Sequence, residues 1–387
     1  MTLDLIINTF VNKFNEQPSI VVRSPGRINI IGEHTDYNDG FVFPAAIDKE
    51  IMFAAKPNDK NSFRFFSVDF KENFEMKVRD LSKSEVEWAN YLLGVADQFK
   101  QAGYELQGTD VVFGGDIPVG AGLSSSAAVE TGFAKVLNEL FDFKVAKIDL
   151  VKMSQKAEHE YAGVMCGIMD QFAIVHGKSG HALKLDCRTL DYEYAPVELD
   201  NYQIILVDTK VKHALASSEY NTRRKECEAA VALLKKHDPN IKALRDVTEE
   251  LLKKYHFEME EKVYRRAKYV VEENHRVEDA FAALKENDIN KLGKLMYTTH
   301  IGLRDDYEVS CDELDILFDI AYNSDEVVGA RMMGGGFGGC TINIVKNEGV
   351  DAFIEKAKSE FEKSTGQKPE FYKVKISEGT SVLMENK

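Results

Sequence analysis

Hydrophobic residues at the start of the chain recur at helical spacing. Leu3, Ile6, Ile7, Phe10, Val11 and Phe14 fall on one stripe between Met1 and Glu16, which predicts an amphipathic helix. Runs of strand type follow at 19–23, 47–55, 62–67 and 74–78. The helical period then returns over 88–103, 124–140 and 147–161, with a short helix over 169–175. In 124–140 the stripe is Val129, Phe133, Val136, Leu137 and Leu140. Strands are expected again at 181–186 and 202–208, the second carrying the unbroken apolar run Ile204-Ile205-Leu206-Val207 of a buried strand. From 217 to 321 the chain reads as helical and charged. Strands resume at 327–333, 341–345 and 371–376, with a helix at 350–363 between the last two. This order predicts an α+β fold of two layered domains, 1–200 and 201–387, divided in the polar stretch between Leu190 and Asn201.

Size and charge narrow the picture. A chain of 387 residues buries large cores and is long enough for two domains. Its 49 basic and 64 acidic residues leave a net charge of −15, which argues against nucleic acid or an anionic membrane as partner and makes a monomer reasonable. The five cysteines, Cys166, Cys187, Cys227, Cys311 and Cys340, are scattered and include no C-x-x-C pair, so neither a disulfide framework nor a zinc site is suggested. The first residues carry Asp4 and lack the basic start and continuous apolar core of a signal peptide, and no apolar run reaches the length of a membrane span. The expectation is a soluble, cytoplasmic protein.

Candidate chemistry sits in three segments. Pro118-Val119-Gly120-Ala121-Gly122-Leu123-Ser124-Ser125-Ser126-Ala127-Ala128 follows a strand-like run at 109–113 and opens a helix. The leading amides of a helix lack intrahelical partners and the dipole there is positive, so this loop suits a phosphate. It fails the Walker A pattern, because Ala121-Gly122 stand where Lys-Ser/Thr is required. Near the N-terminus, Arg27, Glu33, His34, Thr35, Asp36 and Asn38 crowd between Gly26 and Gly40, in the composition of a loop that grips hydroxyl groups or of a solvated turn. In 157–172, Asp170 lies among Ile168, Met169, Phe172 and Ala173, paired in the interior or placed for catalysis, while Glu158 reads as a solvated helix residue. A third glycine-rich run, Gly334-Gly335-Gly336-Phe337-Gly338-Gly339, matches G-x-G-x-x-G but precedes a strand, where a dinucleotide site needs a helix. It reads as a tight connection or as a backbone wall against phosphates. Gly177-Lys178-Ser179 is a second decoy, with Phe172 where the first Walker glycine belongs.

Together these segments resemble the small-molecule kinase superfamily named after galactokinase, homoserine kinase, mevalonate kinase and phosphomevalonate kinase. Residues 120–128 are similar to its phosphate loop and 334–339 to its third motif. Gly26-Arg27-Ile28-Asn29-Ile30-Ile31-Gly32-Glu33-His34-Thr35-Asp36-Tyr37 is similar to the galactokinase family's signature. The resemblance implies ATP and Mg²⁺ as cofactors, galactose as substrate and an active site in a cleft between two domains. It implies Arg27 and Asp170 as the catalytic pair, and Glu33, His34, Thr35, Asp36 and Tyr220 as sugar contacts. It also implies Gly120, Ala121, Gly122, Leu123, Ser124, Ser125 and Ser126 around the ATP phosphates, Ser67 and Trp88 near the nucleotide, and Ser126 and Glu158 as Mg²⁺ ligands. An N-acetylgalactosamine kinase and a galactose- and ATP-binding regulator are the alternatives.

Overall fold

The computed structural model describes residues 1–118, 120–212 and 216–386. Val119, within the phosphate loop, lies outside the described residues. The larger sheet has six strands in the order Ser381–Glu385, Ile20–Asn29, Pro44–Pro57, Thr109–Gly115, Ser62–Ser67 and Glu72–Lys77. Neighbours are antiparallel except Thr109–Gly115 and Ser62–Ser67, which run parallel.

Side chains of a strand alternate between faces, and this sheet uses both. Val22, Phe53, Ala55, Val111 and Phe113 meet the helices Glu87–Gln101 and Ser125–Leu140 in the main core. Val21, Met52, Ala54 and Val112 meet Ile6 and Phe10 of the helix Leu3–Phe14. Helix Ser125–Leu140 lies so close to the sheet that a Cβ on Gly132 would collide with the ring of Phe53. The mid-helix glycine, unfavourable by propensity, is required by that approach.

A second sheet, antiparallel throughout, has the order Val327–Met332, Gly338–Lys346, Tyr202–Lys212 and Glu370–Val374. Helices Asp312–Tyr322 and Val350–Thr365 pack on it through Phe318, Phe353 and Phe361. A three-stranded sheet of Phe41–Val42, His181–Asp186 and Tyr192–Pro196, and the helices Ala216–Leu234, Glu261–Lys285 and Ile289–Asp305, complete the α+β fold. Among the described residues no helix is long and apolar enough to cross a membrane.

Three departures from the sequence pattern bear on the site. The strand expected at 19–23 runs on to Asn29, with a register shift between Pro25 and Arg27. A bulge of this kind accommodates Pro-Gly within a strand and re-aims the residue after it, so Arg27 is presented by a sheet and not by a loop. The helix expected over 147–161 is α-helical only over Lys147–Ala157 and widens to a π-helical turn at Glu158–Ala162. The strand expected from Thr341 begins at Gly338, inside the glycine run.

Candidate active site

Two adjoining cavities meet at the start of helix Ser125–Leu140. The first is lined by Arg27, Glu33, His34, Asp36, Glu158, Asp170, Tyr220 and the glycines Gly167, Gly334 and Gly335. The second is lined by Ser67, Trp88, Gly120, Gly122, Leu123, Ser124, Ser125 and Ser126, together with Asp69, Phe70, Glu87 and Tyr91. Residues distant in sequence thus share walls: of the expected sugar contacts all but Thr35 line the first cavity, and of the expected nucleotide contacts all but Ala121 line the second. Among the described residues of both linings, Arg27 is the sole arginine or lysine.

Arg27 joins the cavities. Its Nε and one terminal nitrogen donate to the two carboxylate oxygens of Asp170 at 2.8 and 3.0 Å, and the other terminal nitrogen donates to the Gly122 carbonyl at 2.6 Å. Its amide donates to the Leu123 carbonyl at 3.2 Å. Burial opposes the charge of Arg27, but Asp170, followed by Glu33 and Asp36, outweighs it and holds the guanidinium above its ordinary value. Asp170 opens the short helix Met169–His176. Its neighbours Met169, Phe172 and Ala173 are buried in the interior, while Asp170 keeps part of its surface open to the cleft. Ser124 donates to the same carboxylate at 2.5 Å.

No side chain caps helix Ser125–Leu140, so its leading amides stay available to an anion. Gly122 is at φ +76°, and a Cβ there would sit 3.2 Å from the Met333 carbonyl, so the phosphate loop packs directly on the third glycine motif. That motif is the connection between two antiparallel strands, and Gly334 and Gly335 line the first cavity. Ala121 is fully buried under the loop.

Glu158 is not a solvated helix residue: the π-helical turn buries it, leaving 8 % exposed. It accepts from Ser126 at 2.9 Å and from Gln171 at 2.7 Å. Burial, and then the charge of Asp170, raise its pKa against those hydrogen bonds. A single wide turn of this sort is a frequent companion of functional sites.

In the first cavity, Glu33 is 2 % exposed and accepts from the Gly334 amide at 2.8 Å and from Arg331 at 3.0 Å. His34 sits at φ +62° and is pushed down to about 3, first by burial and then by Arg223. Tyr220 is held well above the usual phenol range by burial and so stays a hydroxyl donor. The structure does not bring Thr35 into the cleft: it is fully buried and its hydroxyl faces the Gly32 and Phe41 carbonyls at 2.9 and 2.5 Å, holding the turn closed.

Asp36 is pushed up to about 7 by burial and then by the charges of Asp170 and Glu33, against the Tyr37 amide 3.0 Å from its Oδ1. A carboxyl raised on folding binds more protons in the native than in the unfolded chain, so stability falls as pH rises from about 4 to about 7, by up to ~1.4 kcal/mol for each pH unit crossed. Asp36→Asn is therefore expected to raise the denaturation midpoint of the ligand-free chain at pH 8 and to leave it unchanged below pH 4. Equal midpoints at pH 8 would show that Asp36 ionises without cost.

In the second cavity, Trp88 both lines the wall and packs against Phe74 and Phe113, its Nε1 donating to Glu72 at 2.8 Å. Ser67 is fully buried beneath the same cavity. The parts of Glu72 and Gln171 were not legible: Glu72 lies in the charged run 69–75 and Gln171 in the segment 157–172 beside Asp170, but no motif singles either out from its neighbours. Tyr37, which donates to or accepts from His34 at 2.8 Å, stands inside the quoted signature and was legible there.

Known proteins resemble this chain along almost its whole length. Family models described as the galactokinase galactose-binding signature, the N-terminal domain of GHMP kinases and their C-terminal domain match residues 8–57, 90–178 and 280–363. The galactokinase of Clostridium beijerinckii is 44% identical over 98% of both chains, and that of Thermotoga maritima 44% identical over 94% of this chain and 99% of its own. The crystal structure of Lactococcus lactis galactokinase complexed with galactose superposes with a TM-score of 0.95 at 36% identity, covering 98% of this chain and all of the other. A mevalonate kinase shares the fold alone, with a TM-score of 0.63 at 18% identity over 92% of this chain and 99% of its own. On the strength of its full-length relatives and the matching signature, the chain belongs to the galactokinase family.

Proposed function

We propose that the chain transfers the γ-phosphoryl group of ATP to the C1 hydroxyl of α-D-galactose, giving α-D-galactose 1-phosphate and ADP. The observation that carries this reading is the contact of Asp170, on the sugar side, with Arg27 and with Ser124 of the phosphate loop. A hydroxyl held by Asp170 and a phosphate held by the loop are then neighbours. Asp170 accepts the hydroxyl proton, and Arg27 stabilises charge on the phosphoryl group in transfer. Positioning supplies most of the remaining rate.

Glu33, His34, Asp36 and Tyr220 hold the sugar in this reading, and Asp36 with Tyr220 reads the direction of the C4 hydroxyl. The fit of Mg²⁺ rests on Ser126 Oγ and Glu158 Oε1, a hydroxyl and a carboxylate 2.9 Å apart. Among the described residues no group of three or more His, Cys, Asp and Glu could hold a metal; a sparse, all-oxygen set suits an ion that keeps several waters and substrate phosphates. When bound, Mg²⁺ neutralises phosphate charge that a Walker lysine would otherwise meet. A division of labour near residue 200, a monomeric state and a cytoplasmic location belong to the same proposal.

The test is a coupled ADP-release assay with Mg·ATP and galactose, glucose or N-acetylgalactosamine. Galactose is expected to support turnover well above the other two. Asp36→Ala leaves a sugar hydroxyl without its partner, so the preference for galactose over glucose should shrink by about 1–3 kcal/mol. An unchanged ratio removes Asp36 from epimer selection, and no ADP release with galactose overturns the assignment.

A further inference from the structure

A chain of hydrogen-bonding groups runs from His34 away from the cleft. Nδ1 of His34 lies 2.8 Å from the Tyr37 hydroxyl, which lies 2.7 Å from the Tyr307 hydroxyl, which in turn lies 3.2 Å from the Cys227 thiol. The rings are packed as closely as the hydroxyls: His34 stands 4.8 Å from Tyr307 and 5.4 Å from Tyr220, centroid to centroid. Tyr307 is fully buried, and Cys227 comes from helix Ala216–Leu234 on the far side.

Each hydroxyl carries one proton, so the chain points one way at a time. Its direction at Tyr37 decides which His34 nitrogen is protonated, because a neutral imidazole has one N–H and one acceptor. Burial keeps this ring neutral at physiological pH. Three features set the direction. His34 Nε2 is buried without a hydrogen-bond partner, in a residue that lines the cleft beside Glu33, Asp36 and Asp170. The positive charge of Arg223 disfavours a second proton on the ring, so the imidazole keeps a single N–H. The Gly335 backbone also favours a protonated ring, although no hydrogen bond of ordinary geometry joins it to Nε2. At the other end, burial pushes the Cys227 thiol up to about 11, so the chain ends on a protonated thiol that shares a hydrogen bond with Tyr307.

We propose that Tyr37 and Tyr307 are positioning residues for the sugar: their hydroxyls donate in series toward His34 Nδ1 and fix the tautomer that presents Nε2–H to the cleft. The inference rests on the reading of that cleft as a sugar site and deepens it. A sugar hydroxyl is donor and acceptor at once. Glu33, Asp36 and Asp170 can only accept from it when ionised, and the fixed tautomer supplies a neutral donor among them. Neither tyrosine lines the cleft, so both act through His34.

The experiment reads the protonation of the His34 ring nitrogens by long-range ¹H–¹⁵N correlation on the ligand-free, full-length chain, assigned with His34→Gln. The parent chain is expected to carry its proton on Nε2 at neutral pH. Tyr37→Phe should bring in the Nδ1–H form, Tyr307→Phe should do so in part, and both should raise KM for galactose by roughly 3–10-fold, the size of one lost hydrogen bond, with a smaller change in kcat. A parent His34 protonated on Nδ1 overturns the proposal, as does an Nε2–H form that persists in both variants with KM unchanged. The tautomer is read without substrate, whereas galactose turnover by the parent chain tests the functional reading, so the two fail separately.

Discussion

Replacing Asp170 by asparagine is expected to lower kcat by about 10²–10⁴-fold, the range over which a positioned acid or base contributes, while galactose binding stays close to that of the parent. Asparagine keeps the shape and one acceptor oxygen, so the Arg27 contact at Oδ1 survives in part, but it cannot take up a proton. Single-turnover ADP release and calorimetric galactose binding separate the two effects. A parallel fall in kcat and kcat/KM with unchanged affinity places Asp170 in the transition state. Turnover within a few-fold of the parent would remove it from the mechanism, and Arg27 would then have to orient the phosphate loop alone.

The second large effect is expected at a residue that touches no substrate. Arg331 is fully buried. It donates to the carbonyls of Ile30 at 2.8 Å, Met332 at 2.6 Å and Asn29, and to the Glu33 carboxylate at 3.0 Å. Arg331→Met preserves much of the side-chain volume but leaves three carbonyls and a buried carboxylate short of a donor. Breaking a buried pair on one side costs about 3–5 kcal/mol, so the urea midpoint should drop by that equivalent and galactose binding should weaken with it, since Glu33 also holds the Gly334 amide. A loss below about 1 kcal/mol, the size of an exposed ion pair, would mean that Glu33 is solvated in solution.

Much of the fold was legible because hydrophobic period and burial coincide where an element has one wet face. The stripe Val129, Phe133, Val136 and Leu137 is buried as expected. The strand through Arg27 was shortened because its last residues are buried among polar partners, and no alternation marks such a stretch. The short strands Tyr192–Pro196 and Ser381–Glu385 were missed because five residues are too few to establish a period, and both lie where little of the strand is fully buried. At the site, glycines and clustered polar residues drew attention to Arg27, Glu33, His34, Asp36 and residues 120–126. Arg331 and Glu158 were not readable as buried, because charged residues are almost always exposed and only tertiary partners reverse that. Thr35 was carried along by its neighbours in the signature, and its burial shows that a motif includes residues that shape a turn as well as those that face a ligand.

The strand Ser381–Glu385 pairs with Ile20–Asn29, the strand that presents Arg27. During synthesis, the edge at Ile20–Arg23, just ahead of Arg27, therefore waits for more than 350 residues before its partner exists, as Ile30 and Asn29 wait for Arg331 across 301 and 302 positions of chain. Contacts between such remote segments form late and slowly. The cavity walled by Glu33 is thus completed only near the end of folding, and an exposed strand edge persists until then as the point where a nascent chain is open to chaperones or to mispairing with a second copy.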